Sequence, residues 1–267
     1  MHGDHTVTQL DTSTRQRCSG CSVTAWLHPV ALRASELQRI ESVTEHRRTV
    51  PGSRHLVRAG DALTALFIVN SGSVKTSVPD ERGGSQVIGF SLPGDIVGLE
   101  AIDTGRHPGN VTALEDTSCS GFRYADLVDL CRTIEGLQRH LHRVMSLEII
   151  RNHGLMLLLG SMTAEERLVT FLLNLSKRHA ARGYSASQFR LSMSRYEIGN
   201  YLGMRLQTIS RLLKQLHDKQ IIEVDGRSIV IKDTAALWKI HQSEDPPDSR
   251  PKRNAARPAA LHMVPAA

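Results

Sequence analysis

Apolar residues recur at threes and fours through residues 137–160, with Leu141, Met145, Leu155 and Leu159 on one line together with Glu148 and Asn152. That period predicts a long amphipathic helix. Between about 54 and 128 the pattern changes. Short apolar runs at 63–70, 74–78, 87–90 and 111–114 are bounded by Gly, Pro, Asp and Ser, with turns at Gly60-Asp61, Ser71-Gly72-Ser73 and Pro93-Gly94-Asp95. Short, regularly spaced strands of this kind predict a β-barrel or jelly roll. A shorter helix is predicted within 29–49 from Leu32, Leu37, Ile40 and Val43. A further helix is predicted at 163–181, where Thr163 and Glu166 have capping-box spacing. Residues 189–191 read as a strand, and 221–224 and 228–231 as a hairpin closed by Asp225-Gly226-Arg227.

The stretch 195–216, RYEIGNYLGMRLQTISRLLKQL, reads as a helix-turn-helix. Two helices crossing steeply leave room only for a small residue at the crossing, and Gly199 stands there. The turn needs unusual backbone angles, and Gly203 supplies them. Ile198, Leu202, Ile209, Leu212 and Leu213 bury one face of each helix. The outer face of the second helix then carries Arg205, Gln207, Thr208, Ser210 and Arg211, side chains suited to base edges and phosphates in a major groove. With the preceding helix and the hairpin, this predicts a winged helix.

Charge sharpens the picture. The 267 residues carry a net charge of +6. Residues 161–222 hold ten Lys plus Arg against four Asp plus Glu, so the excess sits where DNA would use it. The chain has no apolar run of the ~20 residues that a membrane span needs and no signal-peptide core, so a cytoplasmic protein without membrane contact is expected. Nucleophile elbows, phosphate loops and paired carboxylates at useful spacing are missing, which argues against an enzyme.

The order of barrel, long helix and winged helix resembles the Crp–Fnr family of bacterial transcription regulators. Three segments, TAEERLVTFLLNLSKRHAARGYS, FRLSMSRYEIGNYLGMRLQTISRLL and GFSLPGDIVGLEAIDTGRHP, are similar in particular to its oxygen-responsive branch, named for fumarate and nitrate reduction. The resemblance extends over most of 18–240. It implies a homodimer that binds palindromic promoter DNA and contacts RNA polymerase, with the 79–86 turn in the place of the polymerase-touching loop. It also implies that a Glu-x-x-Ser-Arg pattern reads a TTGAT-type half-site. Here Gln207, Ser210 and Arg211 occupy those positions. Arg211 fits a guanine edge. A glutamine favours adenine where a glutamate would accept from cytosine, so altered preference at one base pair is expected.

On the sensing side, the resemblance implies either cyclic nucleotide or a four-iron four-sulfur cluster held by four cysteines. Cyclic nucleotide needs a Glu and a phosphate-binding Arg-Ser. Glu100 is present, but Pro108-Gly109-Asn110 stands where Arg-Ser would be and Arg106 is out of phase, so this ligand is not expected. Of the cluster positions, Cys18 and Cys21 match, the third is Leu27 and the fourth is Ser120, one residue from Cys119. Two readings stay open. Cys18, Cys21, Cys119 and His28 could hold a cluster (thiolates suit iron), or the cluster is lost and the Cys-x-x-Cys pair is a vestige, a dithiol or a zinc site. Cys131 is expected on a helix. The seam implied for the dimer comprises Leu141, Met145, Glu148, Asn152, Leu155 and Leu159. Its neutral Asn152, where oxygen-switching relatives carry an acid, predicts a dimer less dependent on any signal.

The expected fold class is α+β: an N-terminal cyclic-nucleotide-binding-like β-barrel, a long dimerisation helix and a C-terminal winged helix-turn-helix. The expected divisions are an arm at 1–28, a sensor barrel at 29–136, the dimer helix at 137–162, the DNA-binding domain at 163–241 and a tail at 242–267. The rival function is a redox or metal sensor that acts mainly through protein partners.

Overall fold

The computed structural model describes residues 22–27, 30–80 and 83–242. Cys18, Cys21 and His28 lie outside the described residues, as do 243–267. The chain opens with α1 (Ser22–Leu27) and α2 (Ala34–Val43). Eight strands follow: β1 (Thr44–Val50), β2 (His55–Val57), β3 (Ala65–Ser71), β4 (Val74–Pro79), β5 (Ser85–Ser91), β6 (Ile96–Val97), β7 (Asn110–Ala113) and β8 (Thr117–Arg123). Then come α3 (Tyr124–Thr133), α4 (Glu135–Ser161) and α5 (Ala164–Ala180).

The strands form two antiparallel sheets, ordered β1-β8-β3-β6 and β2-β7-β4-β5, the jelly roll expected. Val50, Leu56, Phe67, Val69, Val74, Val111 and Cys119 fill the barrel interior. On the outer face of the first sheet, Leu66, Ile68 and Phe122 pack against Val23, Trp26 and Leu27 of α1 and against Leu127, Ile134 and Leu137. β8 therefore has protein on both faces, which its TSCSGFR sequence does not advertise.

The predicted helix at 29–49 is shorter than expected. It stops at Val43, and residues 44–50 become β1, paired antiparallel to β8 from Thr44↔Phe122 to Val50↔Thr117. β1 is an edge strand whose TEHRRTV sequence is polar and charged, a composition that discourages further edge pairing and hides the strand from a hydrophobic pattern.

The C-terminal part comprises β9 (Gln188–Arg190), α6 (Arg195–Tyr201), α7 (Leu206–Asp218), β10 (Ile222–Asp225), β11 (Ser228–Ile231) and α8 (Thr234–His241). β10, β11 and β9 form a three-stranded antiparallel wing. At the start of α5, Thr163 caps the Glu166 N–H at 3.3 Å while the Glu166 carboxylate accepts from the Thr163 N–H at 2.6 Å, the expected capping box. The core of this part is continuous with the barrel: Val87, Phe90 and Leu92 of the barrel pack with Leu168, Phe171, Ile198, Ile209 and Leu213.

Candidate nucleic-acid interface

α6 starts with a second reciprocal cap. Ser194 Oγ accepts from the Glu197 N–H at 3.2 Å, and Glu197 Oε2 accepts from the Ser194 N–H at 2.7 Å. A Cβ on Gly199 would lie 2.6 Å from the Met204 carbonyl oxygen, so no larger residue fits the crossing without moving backbone. Gly203 takes φ +66° in the turn. Ile209, Leu212, Leu213 and Leu216 face the core. This leaves Arg205, Gln207 and Arg211 exposed along α7, with Thr208 and Ser210 half-buried beside them. Arg195 of α6 approaches Ser210 Oγ at 3.5 Å. Two exposed groups on the same surface were not singled out from the sequence: Leu206, 42% exposed, and Tyr196, 65% exposed. An apolar Leu206 at the start of the helix suits a thymine methyl. A large apolar residue left in solvent was the only available signal, and it needs the helix phase to be known.

The helix-turn-helix is fastened to the barrel through α6. Glu197 Oε1 pairs with Lys75 Nζ at 2.6 Å, with both side chains mostly buried. Burial alone would raise the Glu197 pKa; hydrogen bonds from Lys75 and Ser194 outweigh it and hold the carboxyl below its ordinary 4.5. Asn200 brackets the outer edge of β5. Its Oδ1 accepts from the Val87 N–H at 2.5 Å and its Nδ2 donates to the Ser85 carbonyl at 3.0 Å. Below, Asp95 accepts from Arg182 at 2.8 Å and from Arg178. Phe90, Phe171 and Tyr201 form an aromatic cluster between them.

Several residues expected at the dimer seam also make contacts within the chain. Leu155 and Leu159 pack against the chain's own core, Leu141 leans on the core beneath α1, and Glu148 pairs with Arg151 at 2.8 Å. The exposed side of α4 carries Leu147, Ile149, Ile150, Asn152, Met156 and Leu157, with Ile149 55% and Met156 65% exposed, and Met145 half-buried beside them. The sequence offered two apolar stripes on one helix. Only the position of the barrel decides which of them is already covered.

The sensor positions change more. Among the described residues, Cys119 is fully buried and faces the barrel interior with Val50, Val69 and Val111, whereas α1 lies on the opposite face of the sheet. Burial pushes its thiol up to about 11, against a weaker pull from Arg48. Ser120 is the residue on the α1 face, where it hydrogen-bonds Asn70 at 2.9 Å. Leu27 is a core residue, 3% exposed. Cys131 is half-buried on α3. Cys119 therefore does not converge with α1. Beyond β6, Gly98 at φ +100° leads into a single 3-10 turn, Leu99–Ala101. Glu100 lies 3.7 Å from the buried His107, and Arg106 donates to the Gly60 carbonyl at 2.8 Å.

Residues 166–240 match the Crp-like helix-turn-helix domain and residues 47–134 the cyclic nucleotide-binding domain. The chain is 41% identical over 223 residues to an anaerobic regulatory protein of Pasteurella multocida, covering 84% of this chain and 82% of the relative. It is 38% identical over 229 residues to the transcriptional activator protein Anr of Pseudomonas protegens (86% and 94% covered). It is also 38% identical over 223 residues to the fumarate and nitrate reduction regulatory protein of Escherichia coli (84% and 89% covered). The solved structure of FixK2 from Bradyrhizobium japonicum superposes with a TM-score of 0.68 at 30% identity, covering 74% of this chain and 98% of that one. No helix among the described residues is long and apolar enough to cross a membrane. Barrel, helix-turn-helix and relatives agree: the chain belongs to the Crp–Fnr family of transcription regulators, which are not enzymes.

Proposed function

We propose that this regulator works as a homodimer that reads a palindromic promoter element through α7 and adjusts transcription when oxygen is scarce. The observation that carries the reading is the strip Arg205, Gln207 and Arg211, held outward on a helix whose other face is locked into the core. Arg211 donates to guanine, Ser210 and Thr208 serve phosphate or base, and Gln207 shifts one position toward adenine. The exposed side of α4, with Ile149, Asn152 and Met156, takes the second copy. Paired Asn152 side chains oppose association less than paired acids would. The names of the relatives support the anaerobic setting. The turn at 79–86 is the surface offered to RNA polymerase. The chain divides by function into the barrel, α4 and the winged helix.

The same reading excludes a four-cysteine cluster, because Leu27 and the inward Cys119 remove two thiolates from the face beneath α1. Selection of binding sites from random DNA tests the first part. A palindrome with adenine favoured at one pair is expected, and its loss in Arg211→Ala identifies the reading helix. Preparation without oxygen, with a visible spectrum and iron and sulfide assays, tests the second. A colourless dimer is expected; stoichiometric iron and sulfide would refute it.

A further inference from the structure

Residues 250–257 of the sequence, RPKRNAAR, carry Arg250, Lys252, Arg253 and Arg257 and no acid. The residues just before them, 243–249, carry Glu244, Asp245 and Asp248 and no Lys or Arg. Charge is thus sorted along this tail, with acids next to the winged helix and cations beyond them. Both blocks lie past residue 240, where the match to the Crp-like helix-turn-helix domain ends. An unmixed cationic block is suited to a polyanion.

What lies within reach decides which polyanion. α8 is anchored by the fully buried Leu237, and its last residue, His241, meets the Thr170 hydroxyl of α5 through Nδ1 at 2.8 Å. The tail is therefore rooted beside the middle of α5. About 10 Å toward the start of that helix, at 1.5 Å per residue, stand Thr163 and Ala164. These share one surface recess with Arg205 and Thr208 at the start of α7. Arg167 fixes the arrangement: its guanidinium donates to the Leu159 carbonyl at 2.7 Å and to the Leu202 carbonyl at 3.3 Å. From Gln242 to Arg250 the chain spans at most about 26 Å. The cationic block thus reaches beyond the start of α7, to the duplex that α7 reads. The acids that precede it are repelled by phosphates and keep the linking residues off the DNA.

We propose that Arg250, Lys252, Arg253 and Arg257 lie along the phosphates of the DNA that flanks the site read by α7, as a second contact indifferent to sequence. α7 supplies the base readout, and the tail supplies counterion release. The reach of the tail corresponds to about eight base pairs at 3.4 Å each. The inference rests on the DNA reading of α7 and extends its footprint outward.

The test is fluorescence anisotropy with the full chain on two duplexes over a range of salt. One duplex is the palindrome obtained by selection; the other carries about ten further base pairs on each side, enough to cover the reach of the tail. The parent should bind the longer duplex roughly tenfold or more tightly. A variant with Arg250→Gln, Lys252→Gln, Arg253→Gln and Arg257→Gln should lose that gain. Its salt slope on the longer duplex should be shallower by about 0.9 for each phosphate contact removed. Arg54→Gln with Arg58→Gln is the control for bulk charge. These exposed residues flank β2, at the opposite edge of its sheet from β5, on which α6 sits. The control should keep the gain; losing it as fully as the tail variant does would overturn the proposal. So would a parent that binds both duplexes equally, or a gain that survives in the tail variant. If the parent retains the short duplex but gains nothing from the flanks, this inference alone falls. If it retains neither duplex, the DNA reading falls and takes this inference with it.

Discussion

α7 and β8 face the same evolutionary problem with different periods. On α7, functional side chains point outward and act one by one. Replacing one of them, as Gln207 does, leaves Arg205 and Arg211 where they were. On β8, side chains alternate, so moving the thiol from 120 to 119 carries it through the sheet into the barrel interior. Reading a surface tolerates piecewise change. Holding a shared ligand does not, because every donor must arrive on the same side.

The largest effect should come from putting thiols back on the α1 side of β8. Leu27→Cys with Ser120→Cys sets two thiols on the α1 face. Anaerobic reconstitution with iron and sulfide should then give a broad visible absorbance that the parent lacks; an equally colourless variant would show that more than thiol position separates this barrel from a cluster site. Next comes the open face of α4. Ile149→Glu with Met156→Glu places charges in the proposed dimer contact and should weaken association by roughly 3 kcal/mol or more, read by sedimentation as a monomer at concentrations where the parent associates. Arg211→Ala should cost about 1–3 kcal/mol of specific DNA affinity and relax the base preference at its position, measured by fluorescence anisotropy at fixed salt.

Smaller effects test the interiors. Cys119→Ser buries a hydroxyl among aliphatic groups and should cost about 1–3 kcal/mol in urea unfolding, while the parent thiol, pushed up to about 11, should resist alkylation until the chain unfolds. The Lys75–Glu197 pair gives a pH signature. Glu197 is depressed in the fold, so its contribution is complete above its ordinary 4.5 and is lost as pH falls through the lower folded value. Glu197→Gln should flatten the fall of the urea midpoint below pH 4.5 without steepening it above.

The winged helix was legible in the sequence because its rules are local. Gly199 at the crossing, Gly203 in the turn and the Thr163–Glu166 cap each act within a few residues. The barrel strands with apolar cores were legible too, at β3, β4, β5 and β7. β1 was not, because an edge strand needs only Val50 as an anchor and the rest of it can be polar. The two sides of α4 were half legible: Asn152 is exposed as a seam residue would be, but Leu155 and Leu159 pack on the chain's own core. The inter-domain contacts of Asn200 and Asp95 join residues 83 to 115 positions apart, and no local pattern announces them.

Asn200 does to β5 what another strand would do: it meets the free N–H of Val87 and the free carbonyl of Ser85. The barrel is therefore finished by its own effector domain. A fragment cut after α4 would present a raw, hydrogen-bond-hungry border together with Val87, Phe90 and Leu92, the makings of a template for aggregation. The winged helix is thus also a seal, and any signalling motion that lifts it from the barrel must either keep that seam closed or hand it to the second copy.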